Sequence, residues 1–150
     1  MAAARDGLAA KNPRGCESSV LMGIERIFPH HVPTPRGPYS PAVRAGDFIY
    51  VSGQGPVDPV TDKVSPGDIR QQTRVTLENL RTILSACGAT LADVVKCSVF
   101  LKDATEFRAM NEVYAEFFPS DRPARTTIEA KFHNADMLVE IDCVAYKPRT

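Results

Sequence analysis

DRPARTTIEA (121–130) and MLVEIDCVAYK (137–147) are two strand-like runs separated by the short polar break KFHNAD (131–136). Threonine, valine, isoleucine and tyrosine recur in them, as in strands, and a short polar break suits a hairpin. Folded about Phe132–His133, such a hairpin sets Arg125 opposite Glu140, and cross-strand neighbours lie ~4.5–5.5 Å apart at Cβ. That register matters, because a slip of one residue turns Glu140 to the other face. A guanidinium is a planar fork of donors matched to a carboxylate, and a carboxylate beside it can take or give a proton. Together they can hold a small organic acid and activate a water. The competing reading of the pair is a cross-strand ion pair contributing roughly 0.2–1 kcal/mol.

Working outward, VVKCSVFLK (94–102) alternates as a strand, with Val95, Cys97, Val99 and Leu101 on one face and Val94, Lys96, Ser98 and Phe100 on the other. A strand apolar on both faces is covered on both sides. Residues 66–87 carry the clearest helix pattern: Ile69, Thr73, Thr76, Leu77, Leu80, Ile83, Leu84 and Cys87 recur at three-and-four spacing. Ser65, Pro66 and Asp68 offer a capped start and Gly88 a C-terminal cap. A second helix is expected after Asp103, with Glu106 completing an acidic capping box, an apolar stripe of Phe107, Met110, Tyr114 and Phe117, and a stop at Pro119. Asn111 lies beside that stripe.

Toward the N-terminus, Phe48–Ser52 and a partner run at Tyr39–Ala45 are expected as strands joined at Gly46–Asp47. The loop GQGPVDP (53–59) is not a dinucleotide fingerprint, since Gly55 leads to Pro56 rather than a helix. Ser52 is not in a nucleophile elbow; it is a strand end beside a glycine loop, a place where ligands bind. Ile24–Phe28 alternates as a half-buried strand. His30 and His31 are adjacent in extended chain and cannot both face one site, so they read as surface loop residues. Residues 1–21 are small, polar and aperiodic and are expected to be a disordered tail. They lack the apolar core of a secretory signal; an organellar transit segment is the alternative.

The chain has 150 residues, so one domain over 22–150 is expected. Lys+Arg and Asp+Glu both number 18, giving no basic field for nucleic acid or anionic lipid. No apolar run approaches a membrane span. The cysteines at 16, 87, 97 and 143 have no C-x-x-C spacing, which argues against a zinc site and for buried free thiols in the cytoplasm. The element order implies an α+β fold with two helices on one face of a mixed sheet. Val94 and Phe100 then need cover from elsewhere, which another copy of the chain would supply.

GPYSPAVRAGDFIYVSGQGPVDP, VTLENLRTILSACGATLADVVKCSVFLKD, FRAMNEVYAEFFPSDRPARTTIEA and LVEIDCVAYK resemble the RidA (YjgF) family of reactive-intermediate deaminases over roughly residues 24–147. The resemblance implies a chorismate-mutase-like fold assembled as a homotrimer, with a barrel-like core and clefts between subunits. It implies hydrolysis of 2-imino acids or their enamine tautomers, such as 2-iminobutanoate and 2-iminopropanoate, to 2-keto acids and ammonia, without metal or cofactor. On this resemblance Arg125 clamps the substrate carboxylate and Glu140 activates the water. Tyr39 walls the cleft, while Ser52 and Asn111 line it. Thr127 stands where many members have cysteine, and contributes its backbone carbonyl. KFHNAD replaces the Leu-Pro of many members and bears on substrate choice. A non-catalytic carboxylate-binding regulatory module and, with less support, an RNA-acting translation inhibitor are the other readings.

Overall fold

Two parallel crossovers and one inserted strand organise the chain. The computed structural model describes residues 10–12, 16–21 and 23–149. Their elements are β1 (Ala10–Asn12), β2 (Cys16–Leu21), β3 (Ile24–Pro29), β4 (Ala42–Ala45), β5 (Phe48–Gln54), α1 (Ile69–Ala86), β6 (Val94–Leu101), α2 (Phe107–Phe117), β7 (Ala124–Glu129) and β8 (Val139–Tyr146). The strands form one mixed sheet in the order β1-β2-β3-β4-β5-β8-β6-β7. The expected tail at 1–21 falls in part outside the described residues; within it, Ala10–Asn12 and Cys16–Leu21 are strands paired with one another, and β2 also pairs with β3.

β6 and β7 pair in parallel through α2, while β8 runs antiparallel to both β5 and β6. β5 and β6 are therefore parallel too, joined by α1, with β8 filling the slot between them. Parallel crossovers share one hand, which sends both helices to the same sheet face. The helices lie side by side in the same direction, and Arg70 and Arg74 reach Glu112 and Glu116 at 2.6 and 2.7 Å. These exposed pairs contribute about 0–1 kcal/mol each.

This topology corrects the hairpin expected over 121–147. β7 and β8 are not neighbours; β6 lies between them. Arg125 is level with Cys97, and Glu140 is level with Phe100. β8 buries Val139, Ile141, Cys143 and Ala145 beneath the helices, the alternation of a central strand with one covered face. β7 alternates weakly and sits at the edge, where polar residues protect unpaired backbone.

α1 forms where the apolar spacing predicts it. Ile69, Leu77, Leu80, Ile83 and Leu84 are buried, and each contributes about 1.5–3 kcal/mol by leaving water. The helix starts at Ile69, later than expected. Asp68 is the N-cap, with its carboxylate accepting from Gln71 N at 3.0 Å and the Gln71 side chain accepting from Asp68 N at 2.8 Å. At the other end Gly88, at φ +77°, and Ala89 donate to Ser85 O and Leu84 O, the left-handed closure that glycine permits. α2 is also entered late. Asp103 caps a single 3-10 turn at Ala104–Glu106, its carboxylate accepting from Thr105 N at 2.8 Å, and Ala104 N donates to the Glu129 carboxylate at 2.8 Å.

A second correction concerns β6. The register shifts between Val94 and Lys96, placing Val94 under the helices and leaving Val95 exposed. A bulge inserts one residue and inverts the alternation before it. The open face still carries Phe100, and with it Tyr50 (49% exposed), Ile128 (51%), Phe48 and Tyr146. Cys97 and Cys143 are buried free thiols and Cys87 is buried as well; the side chain of Cys16 lies outside the described residues.

Candidate active site

The end of β5 and the loops beside it enclose a cavity of about 350 Å³, lined by Arg36, Tyr39, Ser52, Gly53, His133 and Glu140, with Gly55, Val57 and Met137 on its walls. Each wall is held by identifiable bonds. Prolines 33, 35, 38 and 41 keep the 32–41 segment out of helix and strand. Asp62 fixes it by accepting from Thr34 N at 2.9 Å and from the Arg36 guanidinium at 3.2 Å. The Tyr39 hydroxyl accepts from Arg36 N at 3.2 Å. Ser52 ties the segment to β5, donating from Oγ to Ser40 O at 2.7 Å and from N to Pro41 O at 3.0 Å.

The other walls hang from two buried amides of α1. Gln72 donates to Ser65 O and Asp136 O at 3.1 and 2.9 Å and accepts from Leu138 N at 2.8 Å. Asn79 donates to Gly55 O and Val57 O at 3.2 and 2.8 Å. Buried polar groups cost free energy unless paired, and here the pairing fixes the loops on both sides of the cavity.

Glu140 is the carboxylate of this site. It projects from the open face of β8 across the glycine at position 53. Burial pushes its carboxyl above the ordinary range, the charge of His133 opposes that shift, and Asp142 adds to it. Among the described residues no side chain or backbone N–H donates to it, so its oxygens are available to a water or ligand. A carboxylate raised toward neutrality with free acceptor sites is suited to general base work.

Arg125 is elsewhere. Its register with fully buried Cys97 puts it on the helix face, opposite to Glu140. Its guanidinium lies over the Tyr114 ring at 4.6 Å and the Phe107 ring at 5.6 Å, contacts worth about 0.5–2 kcal/mol. Among the described residues it has no carboxylate partner. Thr127 shares this face two positions on, its hydroxyl buried and without a hydrogen-bond partner among the described residues. Asn111, half-buried on α2, follows Phe107 by one helical turn. The expected set thus falls into two groups: Tyr39, Ser52 and Glu140 in the cavity, and Arg125, Thr127 and Asn111 along β7 and α2.

The sequence reading did not assign Arg36, Gly53, Gln72 or Asn79 to the site, and it placed His133 only in the break. Gly53 carried a legible signal, since glycine inside a strand marks a close approach. Gln72 and Asn79 sit on the apolar side of α1, where a polar residue marks a satisfied internal contact.

Comparison with known proteins adds the following. The sequence profile of a family described as Endoribonuclease L-PSP matches residues 29–147. A RutC family protein of Pyrococcus horikoshii is 49% identical over 123 residues, covering 82% of this chain and 98% of the relative. The 3-aminoacrylate deaminase RutC of Acinetobacter baylyi is 43% identical over 125 residues, covering 83% and 99%. The crystal structure of RidA from an Antarctic Psychrobacter superposes with a TM-score of 0.77 at 34% identity, covering 81% and 98%.

Proposed function

The chain belongs to the endoribonuclease L-PSP family, the YjgF/RidA family, and from that premise we propose that it is an imine deaminase. It hydrolyses short 2-imino acids such as 2-iminobutanoate and 2-iminopropanoate, or their enamine tautomers, to 2-keto acids and ammonia. A relative that is 43% identical is named a 3-aminoacrylate deaminase, and its named substrate is an enamine of a short carboxylic acid. The family's endoribonuclease description finds little support in the charge balance, since Lys+Arg and Asp+Glu are equal at 18.

One observation carries the reading. Among the described residues, a carboxylate that accepts no hydrogen bond and a guanidinium with no carboxylate partner lie on opposite faces of one sheet, so a single chain cannot bring them to one substrate. A closed ring of copies can, because a head-to-tail interface joins different surfaces of successive subunits. The apolar open face with Tyr50, Phe100 and Ile128 is the surface such a ring would bury. The proposed assembly is a homotrimer whose clefts pair Glu140, Tyr39 and Ser52 of one copy with Arg125, Asn111 and Thr127 of the next.

In that cleft Arg125 makes charge-assisted bonds to the substrate carboxylate. The iminium carbon is already electrophilic. Glu140 takes a proton from water as the water adds to the iminium carbon, giving a neutral carbinolamine, and returns it to the nitrogen; the C–N bond then breaks, ammonia leaves, and the carbonyl forms as the carbinolamine hydroxyl gives its proton back to Glu140. Positioning lowers the barrier, and general acid–base help adds roughly 10²–10⁴-fold. The test is ammonia release from freshly generated 2-iminobutanoate, made in situ by threonine dehydratase. Wild type should accelerate it and Arg125→Ala should not; equal rates for the two would refute the proposal.

A further inference from the structure

The cavity that Glu140 enters has an apolar part, formed by Pro33, Pro35, Pro41, Val57 and Met137. A proline ring fixes φ and a β-branched valine is stiff at χ1, whereas methionine has three rotatable bonds and adapts to irregular gaps. Met137 directly follows the break 131–136 and is only 4% exposed. It stands outside the core cluster beneath the helices, so the space it fills is cavity wall.

A notch in the backbone receives it. A Cβ built on Gly55 would stand 2.6 Å from Met137 Cε and 3.4 Å from its Sδ, with Val57 Cγ2 at 3.9 Å. Gly55 is not at positive φ, so no turn requires a glycine there; the missing side chain makes room for the thioether. The backbone is pinned on both sides of this contact. Asn79 holds Gly55 O and Val57 O, Gln72 holds Asp136 O and Leu138 N, and Met137 N donates to Asn134 O. Crowding here therefore moves the end of the methionine, and moves it toward the cavity.

Resting on the deaminase reading of this cleft, we infer that Met137 sets the length of substrate side chain that the cavity accepts, with Gly55 as the notch that lets its thioether lie back. An imino acid brings three groups to the site: a carboxylate, the carbon that water attacks and an apolar side chain. The proposed cleft gives the first to Arg125 and the second to Glu140. The third needs apolar surface, and Met137 is the part of that surface able to advance or withdraw. One methylene in an apolar pocket is worth roughly 10–200-fold in discrimination, so a shift of the thioether end decides between short and long substrates.

The test compares wild type, Met137→Ala, Gly55→Ala and the double variant in kcat/KM for 2-iminobutanoate and the longer 2-iminohexanoate. Each imine is generated in situ from its amino acid by an amino acid oxidase with catalase present. The long-to-short ratio should rise about tenfold in Met137→Ala and fall about tenfold in Gly55→Ala. The double variant should match Met137→Ala, because the added Cβ then has no thioether to displace. Unchanged ratios in both single variants, or a Gly55→Ala effect that persists without the methionine, would overturn the inference. If Met137→Ala does not fold, Gly55→Ala carries the test, since it displaces only the free end of a flexible side chain. Equilibrium binding of 2-oxobutanoate and 2-oxohexanoate reads the same preference without turnover. Kd ratios that move in these directions support the inference even if no imine is hydrolysed, and the deaminase reading then fails alone. Hydrolysis with unmoved ratios overturns the inference and leaves the deaminase reading standing.

Discussion

A Cβ built on Gly53 would stand 2.1 Å from Oε1 of Glu140 and 3.0 Å from its Cδ. The glycine of the Ser-Gly-Gln run on β5 is therefore what allows the β8 carboxylate to lie flat across its neighbour. The colliding atoms are the far end of a flexible side chain, so Gly53→Ala should move the carboxylate rather than unfold the protein. We expect kcat to fall by about 10²-fold, the cost of displacing a catalytic group by about 1 Å, with the thermal midpoint within a few degrees of wild type. Kinetics and calorimetry on the same preparation check both halves.

Glu140 also links activity to stability. Its carboxyl is raised in the folded protein, chiefly by burial. An acid raised on folding favours the fold below its unfolded value and loses that advantage as pH climbs through the folded value. At neutral pH the ionised group is therefore a cost. Glu140→Gln should abolish turnover yet raise the thermal midpoint at pH 7, and that gain should vanish below the ordinary carboxylate range near 4.5. Thermal scans across this pH range check the sign.

Gln72 makes three bonds to the cavity loops from the core. Gln72→Leu preserves size but leaves Ser65 O, Asp136 O and Leu138 N without that partner. Each such group costs about 1–3 kcal/mol, so we expect a loss of about 3 kcal/mol. The urea midpoint should fall with the slope unchanged.

The open sheet face predicts association. Tyr50 and Ile128 are about half exposed in one chain, and in the proposed trimer they are covered. Tyr50→Glu or Ile128→Glu should shift the protein from trimer to monomer in analytical ultracentrifugation. A monomeric wild type at micromolar concentration would contradict the assembly.

Much of this was legible in the residues. α1 was readable because its buried positions recur at helical spacing and its ends carry Asp68 and Gly88. The α+β class followed from the order of elements. Pairing was not legible. The runs around Arg125 and Glu140 look like a hairpin because a polar break separates them, yet β8 passes beyond β6 to reach β5. What distinguishes them is burial: β8 alternates Val139, Ile141, Cys143 and Ala145 inward, while β7 is polar enough for an edge. That contrast is in the sequence, but a local turn signal hides it. The bulge at Val94–Lys96 was unreadable for the same reason, since it depends on a partner strand. His133 could be found as a departure from the family pattern, but its place on the cavity wall comes from Gln72, more than sixty positions earlier in the chain.

The claim that the cleft joins Arg125 of one copy to Glu140 of another is tested most directly by mixing two inactive variants. Arg125→Ala and Glu140→Gln, denatured and refolded together, should regain activity that neither has alone, because statistical mixing gives roughly a quarter of the clefts both intact groups. If the mixed trimers form and remain as inactive as the separate variants, the two residues do not share a site across subunits and the account fails.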